Sequence, residues 1–336
     1  MRIRQWDPAT APDREIEAWL RSMNAVLATE LGDEPPWHHE RLREYLAVTM
    51  PGERRAAWIA TAGDEIVGYL GVILLRDDDT RTACIEMFAH PEWRRQGIAH
   101  GLLTEAARYA VEQGQDIITA EVVDGTPAEG FYAAAGFRRT ATEDSAVLDL
   151  ATVDWNWISD LSRRIAAGYR IENYPDGPPE ELLGSYANAK LVIRHTPIAD
   201  VAWPAGFEAD RLRDSLRTLR ARGLRPYVAV AVHEATGEVA GLTELVVPTH
   251  RPQRADQYDT IVVPAHRGYG LGLAMKARML LDLRAEEPQV ESVQTWQATD
   301  DEPMLRVNLD LGFRPAHRWH EYEATVATVT ATRRTA

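Results

Sequence analysis

One fourteen-residue pattern occurs twice in this chain, 173 positions apart. The first copy runs from Glu86 through Pro91, Arg94 and Gly97 to Ala99, and the second from Asp259 through Pro264, Arg267 and Gly270 to Gly272. In each, an acidic residue stands eight positions before an arginine and a proline three before it. Arg-x-x-Gly-x-Gly/Ala then opens an apolar run of helical period. That order reads as strand, turn and helix N-terminus. A second shared landmark follows at Gly136-Phe137 and Gly312-Phe313. The chain is therefore a tandem duplication, and its 336 residues give two domains room for a core each.

Local periodicity fills in both halves. The first half predicts a strand over Met1 to Asp7 and helices over Ala11 to Leu31 and His38 to Met50. Strands follow at Ala56 to Ala62, Glu65 to Leu75 and Thr82 to Ala89, then the motif helix to Glu112. A strand at Asp116 to Val123, a short helix around Pro127 to Ala135 and closing strands through Leu150 complete it. From Tyr169 the order recurs, ending in a strand region from Phe313 to Thr325. The expected domains are 1–150 and 168–336, with 151–167 as a connector whose Trp155 and Trp157 would wedge into an interface. Asp77 to Asp79 reads as a hairpin turn, Asp300 to Glu302 as an acidic helix start, and Arg333-Arg334 as a frayed tail.

Bulk properties exclude several function classes. A net charge of −14 argues against nucleic acid, whose phosphates need a basic face, and suits a cationic partner such as an amine. No apolar run approaches the roughly 20 residues needed to cross a bilayer. One cysteine, Cys84, permits no internal disulfide, which fits a cytoplasmic location. Of 37 basic residues, two are lysines, Lys190 and Lys276. There is no His-x-x-x-His, cysteine cluster, Gly-x-Ser-x-Gly or Walker loop, and no metal site is expected.

The motif's chemistry follows from helix ends. A helix N-terminus leaves backbone N–H groups unpaired and carries partial positive charge, so it suits a pyrophosphate. Glycine lets phosphate oxygens approach the backbone, and an arginine adds a charge-assisted hydrogen bond. A dinucleotide fold would need its glycines after the first strand of a βαβ unit, whereas here they follow the fourth strand of each half.

With these residues the chain resembles the GNAT acetyltransferase superfamily in both halves, with a duplicated layout similar to that of the mycothiol synthases. The resemblance implies an α/β (α+β mixed) fold of two tandem GNAT domains, each a twisted mixed sheet flanked by helices. It implies acetyl-CoA as acyl donor, its pyrophosphate held by Arg94, Arg95, Gln96, Gly97, Ile98 and Ala99, and by Arg267, Gly268, Tyr269, Gly270, Leu271 and Gly272. The pantetheine arm would pair with Phe88 and Ala89, or with Ile261 and Val262, and Asn308 would contact CoA.

The family often places a tyrosine four residues before the Gly of Gly-Phe as proton donor to the leaving thiolate. That position holds Tyr132 in the first half and Asn308 in the second. Candidate bases are Glu121, Glu86 and Asp259, the last two matched in the repeat. The loop Asp33-Glu34 to Trp37, His38 and His39 would border the acceptor. The expected function is an acyltransferase moving acetyl from acetyl-CoA to a small-molecule amine, acting as monomer or homodimer. Alternatives are acetylation of a thiol-sugar precursor, protein N-acetylation, or an acetyl-CoA-binding module with one non-catalytic domain.

Overall fold

The computed structural model describes residues 1–75, 81–192 and 209–332. The turn at Asp77 to Asp79 and the tail arginines Arg333-Arg334 lie outside the described residues. The chain is a mixed α/β structure that forms two compact units: Met1–Thr142 with Arg318–Ala336, and Glu143–His317.

The first unit runs β1 (Arg2–Trp6), α1 (Asp13–Glu30), α2 (His39–Ala47), β2 (Glu53–Ala62), β3 (Glu65–Leu75), β4 (Thr82–Ala89), α3 (Ile98–Glu112), β5 (Ile117–Val123), α4 (Pro127–Ala134) and the start of β6 (Arg138–Asp149). The second takes the rest of β6, then α5 (Trp155–Arg163), β7 (Tyr169–Pro175), α6 (Glu180–Lys190), α7 (Ala209–Ala221), β8 (Leu224–His233), β9 (Val239–Pro248), β10 (Arg254–Val262), α8 (Leu271–Glu286), β11 (Ser292–Ala298), α9 (Glu302–Leu311) and the start of β12 (Arg314–Thr325). The end of β12 and α10 (Val326–Thr332) belong to the first unit.

The units therefore do not coincide with the sequence halves. Trp319 to Thr325 of β12 pair antiparallel with Val123 to Ile117 of β5, and Tyr322, Ala324, Val326 and Val329 join the first unit's core. Conversely, Glu143 to Asp149 of β6 pair with Ala298 to Ser292 of β11. Each half lends its last strand to the other's sheet. Residues 151–167 are not a bare connector, because Asp154 caps α5 by accepting from the amides of Asn156 and Trp157. Trp155 and Trp157 make their contacts within the second unit, with Arg284 and with the Asp310 carbonyl, and Trp157 stays exposed.

Both motif helices lie tightly on their sheets. A Cβ on Gly68 would come 2.5 Å from Ile98 of α3, and one on Gly241 would come 3.0 Å from Met275 of α8. These glycines are separated by the same 173 positions as the motifs. On the opposite face of the first sheet, Ile16, Trp19, Leu20 and Met23 of α1 form an i, i+3, i+4, i+7 stripe in the cluster that holds Tyr69 and Phe88. No described helix is long and apolar enough to cross a membrane.

The parallel pair at the centre of each unit comes apart. β4 and β5 pair from Thr82/Ile117 to Ile85/Ala120 and no further. β10 and β11 pair from Arg254/Ser292 to Asp256/Gln294, just before a register shift between Gln257 and Thr260. Each pair thus ends in a cleft between its two strands, and the strand on one side, β4 or β10, runs on to the motif helix.

Candidate active site

The loop at each cleft has one backbone conformation in both units. Gly97 and Gly270 sit at φ 80° and 73°, and Arg95 and Gly268 at 63° and 84°. Alternating left-handed residues turn successive amides inward, the arrangement that makes an anion-binding concavity. Arg95 holds this conformation without being glycine, at a cost on the order of 1 kcal/mol. Neither helix has a side-chain cap, and the first helical bonds are Gly101 N to Gly97 O and Ala274 N to Gly270 O. The amides of Ile98, Ala99 and His100, and of Leu271, Gly272 and Leu273, thus have no acceptor within the helix. That is the geometry a pyrophosphate needs.

The two loop arginines differ. Arg94 donates through Nε to the Ala89 carbonyl at 3.3 Å and pairs with Glu30 at 2.7 Å, so part of its charge is already matched. Arg267 makes the same Nε contact, to the Val262 carbonyl at 3.3 Å, on an exposed side chain.

In the first unit the two base candidates lie where the parallel pair ends, while Tyr132 belongs to the core on the α3 face. Glu86 and Glu121 occupy the first positions beyond the last paired residues, Ile85 and Ala120. Ile85 and Ala120 face the α3 core, so strand alternation turns both glutamates to the opposite face. Glu86 accepts from the Tyr45 hydroxyl at 2.8 Å. Glu121 is exposed and stands in register with Glu321 of β12. Tyr132 on α4 is 4% exposed, its ring held edge-on by Phe131 and Phe137 and stacked on Tyr322 at 6.1 Å. Burial alone pushes its phenol well above the usual range, so it remains an O–H donor at neutral pH. Phe88 stacks on Tyr69 at 5.6 Å, so its side chain is packed.

The matched residues of the second unit are tied into internal contacts. Asp259 is 2.9 Å from Lys190, which also pairs with Glu244 at 2.6 Å; Tyr186, fully buried, donates to the same Glu244. Burial alone would lower the Lys190 pKa, but the two carboxylates more than offset it and hold the ammonium charged. Asn308, 1% exposed, accepts from Lys276 Nζ at 2.6 Å and donates to Gln297. Both ends of its amide are therefore engaged within the protein. Lys276, also 1% exposed, lies 5.0 Å from the Phe313 ring, and desolvation lowers its pKa to about 7. Ile261 is buried in the core, while Val262 is partly buried beside Leu271 and Met275. Tyr269 is 51% exposed and lies against Tyr169.

Two features were not singled out from sequence. The first unit holds a cavity of about 330 Å³ between the end of β1, the end of α2 and β2 to β4. Arg55 and Glu86 both line it. Nothing in the local sequence marks Arg55. For Lys190 and Lys276 a signal existed: they are the chain's two lysines, and both are in the core. Of the loop expected to border the acceptor, Trp37 folds inward, clamped by Asn24 through two hydrogen bonds and packed on Trp19 and Tyr45, while Asp33 and His38 are exposed. Among the described residues, one group could offer three metal ligands, Asp124, Glu129 and His320. Arg139 lies 3.1 Å from the same imidazole nitrogen, which disfavours a cation there.

Comparisons agree with this geometry. Residues 16–137 match the sequence model of the Acetyltransferase (GNAT) family. The chain is similar to a tandem GNAT protein from the clavulanic acid biosynthesis pathway, with 28% identity over 97% of this chain and 98% of that one and a TM-score of 0.81. A GCN5-related N-acetyltransferase from Sphaerobacter thermophilus shares the fold at 17% identity, covering 97% and 95% of the two chains with a TM-score of 0.71. Among curated proteins, none matches the chain by sequence. Residues 16–137 thus carry the sequence pattern of a GNAT acetyltransferase domain, and the chain as a whole is similar to a tandem GNAT protein.

Proposed function

We propose that the chain is an acetyl-CoA-dependent N-acetyltransferase of a small-molecule amine, with turnover in the first unit. The observation that carries this reading is the contrast between matched carboxylates. Glu86 accepts a neutral hydroxyl beside a cavity, while Asp259 is ion-paired to a buried lysine. A carboxylate already neutralised by an ammonium is a poor base.

Acetyl-CoA supplies an activated acyl group, and the chain's residues position it and move protons. The uncapped amides at Ile98, Ala99 and His100 bind the pyrophosphate, and the open edge of β4 beyond Ile85 takes the pantetheine arm. An acceptor ammonium, with an ordinary pKa of about 10, must lose a proton before it attacks. Glu86 takes that proton, directly or through water. The nitrogen lone pair then forms the N–C bond to the thioester carbonyl, the C–S bond breaks, and Tyr132 gives its proton to the departing sulfur. Two protons leave nitrogen overall: solvent returns one to Tyr132, and the other is released. The products are an amide, a thiol and one proton.

The second unit keeps the loop conformation but has no free base at the position of Glu86, which supports acetyl-CoA binding there without turnover. Incubation with acetyl-CoA and a panel of amines, read by mass spectrometry for one added acetyl group and by free thiol, tests the assignment. Thiol appearing without an acetylated amine would show hydrolysis instead. Acetylated peptides with unmodified small amines would move the acceptor to protein.

A further inference from the structure

The cavity of the first unit contains a charge that acetyl transfer to a simple amine does not need. Three charged residues line it: Asp7, Arg55 and Glu86. Asp7 is committed to a turn, accepting from the amide of Ala9 at 3.0 Å and the hydroxyl of Thr10 at 2.8 Å. Glu86 is the base already described. Arg55 remains, with its side chain 13% exposed. It is anchored along one edge, Nε donating to Glu53 at 3.2 Å and Nη1 to the Tyr45 carbonyl at 3.5 Å, with the guanidinium 5.0 Å from the Tyr45 ring.

Arg55 and Glu86 are near enough to feel each other's charge, yet among the described residues no ion pair within 4 Å joins them. The cavity lies between them. Gly71 pairs across the ladder with Glu86 and adds no side chain there, and a Cβ at that position would meet the Tyr69 hydroxyl at 2.7 Å. A bare cationic acceptor entering this space would be attracted by Glu86 and repelled by Arg55. An acceptor that also carries an anion satisfies both, because a guanidinium with five donors can serve Glu53 on one edge and a second carboxylate on another.

We propose that the acceptor is zwitterionic, a small amino-acid-like compound whose ammonium meets Glu86 and whose carboxylate is held by the free edge of Arg55. This deepens the preceding reading and rests on it for the position of the reacting amine. A cavity of about 330 Å³ suits a ligand of that size.

The test compares matched compounds: amino acids with a free carboxylate, their carboxamides, and the same acids lacking the amine. Calorimetric binding is measured without acetyl-CoA, and thiol release with it. We expect the free-carboxylate amines to be favoured over their carboxamides by about tenfold or more in Kd and KM, the scale of one charge-assisted pair. Arg55→Gln should bring that ratio near one while leaving turnover of the carboxamides within about threefold, since a lost ground-state contact shows in KM. Arg55→Lys, which keeps the charge without the fork, should retain part of the preference and guards against a folding artefact. Equal or better binding of the carboxamides by wild type, or an undiminished ratio in Arg55→Gln, overturns the proposal. Should no amine be acetylated, the calorimetric ratio still decides the zwitterion question, while the reading of the site as an acetyltransferase would fall separately.

Discussion

Lys190 Nζ lies 2.9 Å from Asp259, whereas Glu86, which holds the same place in the first repeat, accepts from the uncharged Tyr45 at 2.8 Å. One carboxylate is ion-paired to a buried ammonium and the other accepts a neutral hydroxyl. The tandem chain thus repeats its loop and cleft but not the surroundings of its matched carboxylates.

The Lys190 pairing should be structural. Lys190→Met would leave Glu244 and Asp259 facing each other with no counter-charge, and both are largely buried, at 15% and 26% side-chain exposure. Breaking a buried pair from one side costs about 3–5 kcal/mol, so urea unfolding of the second unit should shift by that order. Acetyl transfer measured well below the unfolding temperature should persist. Unchanged stability would mean the contacts carry little free energy.

Tyr132→Phe separates chemistry from packing. No hydrogen bond contributes to the raised phenol pKa, and its aromatic contacts survive in phenylalanine. Stability should stay within about 0.5 kcal/mol of wild type. kcat should fall about 10²-fold, the usual scale of one positioned proton donor. A variant as fast as wild type would assign the tyrosine a packing role.

Gly97→Val and Gly270→Val test whether both loops bind. Each glycine has positive φ and nothing within 4 Å of its Cβ position, so the expected penalty is backbone strain, not collision. Calorimetry with acetyl-CoA should fall from two sites to one in either variant, and turnover should vanish in Gly97→Val alone. Wild type binding one equivalent would remove the second loop from the account.

Lys276 gives a pH signature. Its pKa falls from 10.5 to about 7 because burial disfavours the ammonium. Between those values the unfolded chain holds a proton the folded one lacks, so stability rises with pH from about 7 to 10.5 and is flat on either side on this account. The penalty is greatest below pH 7 and on the order of a few kcal/mol. In Lys276→Met the slope should shrink across that window, while the unpaired Asn308 carbonyl lowers stability equally at every pH. Parallel pH–stability curves for the two proteins would show that Lys276 keeps its ordinary pKa.

The backbone of both loops was legible in the sequence. The repeat marked both loops, and the glycines that their backbone requires are at the expected positions, Gly97 and Gly270. The strand carrying Glu86 and the helix carrying Tyr132 follow from alternation and helical period. The destination of β6 and β12 does not, because period-two alternation fixes which face a residue takes, not which strand lies beside it. The nine-residue helix α5 escaped notice because its signal is a single cap, Asp154. Lys190 and Asp259 are 69 residues apart, and Arg55 and Glu86 meet across a cavity, so no local pattern announces either relationship.

The most direct measurement compares the two matched carboxylates: steady-state acetyl transfer to the same amine by Glu86→Gln and by Asp259→Asn. The account predicts that Glu86→Gln lowers kcat by about 10²-fold or more and removes the rise in rate with pH that a carboxylate base gives. Asp259→Asn should lower thermal stability and leave kcat within about threefold of wild type. The reverse pattern, with activity lost in Asp259→Asn and retained in Glu86→Gln, would place the chemistry in the second unit and contradict the account.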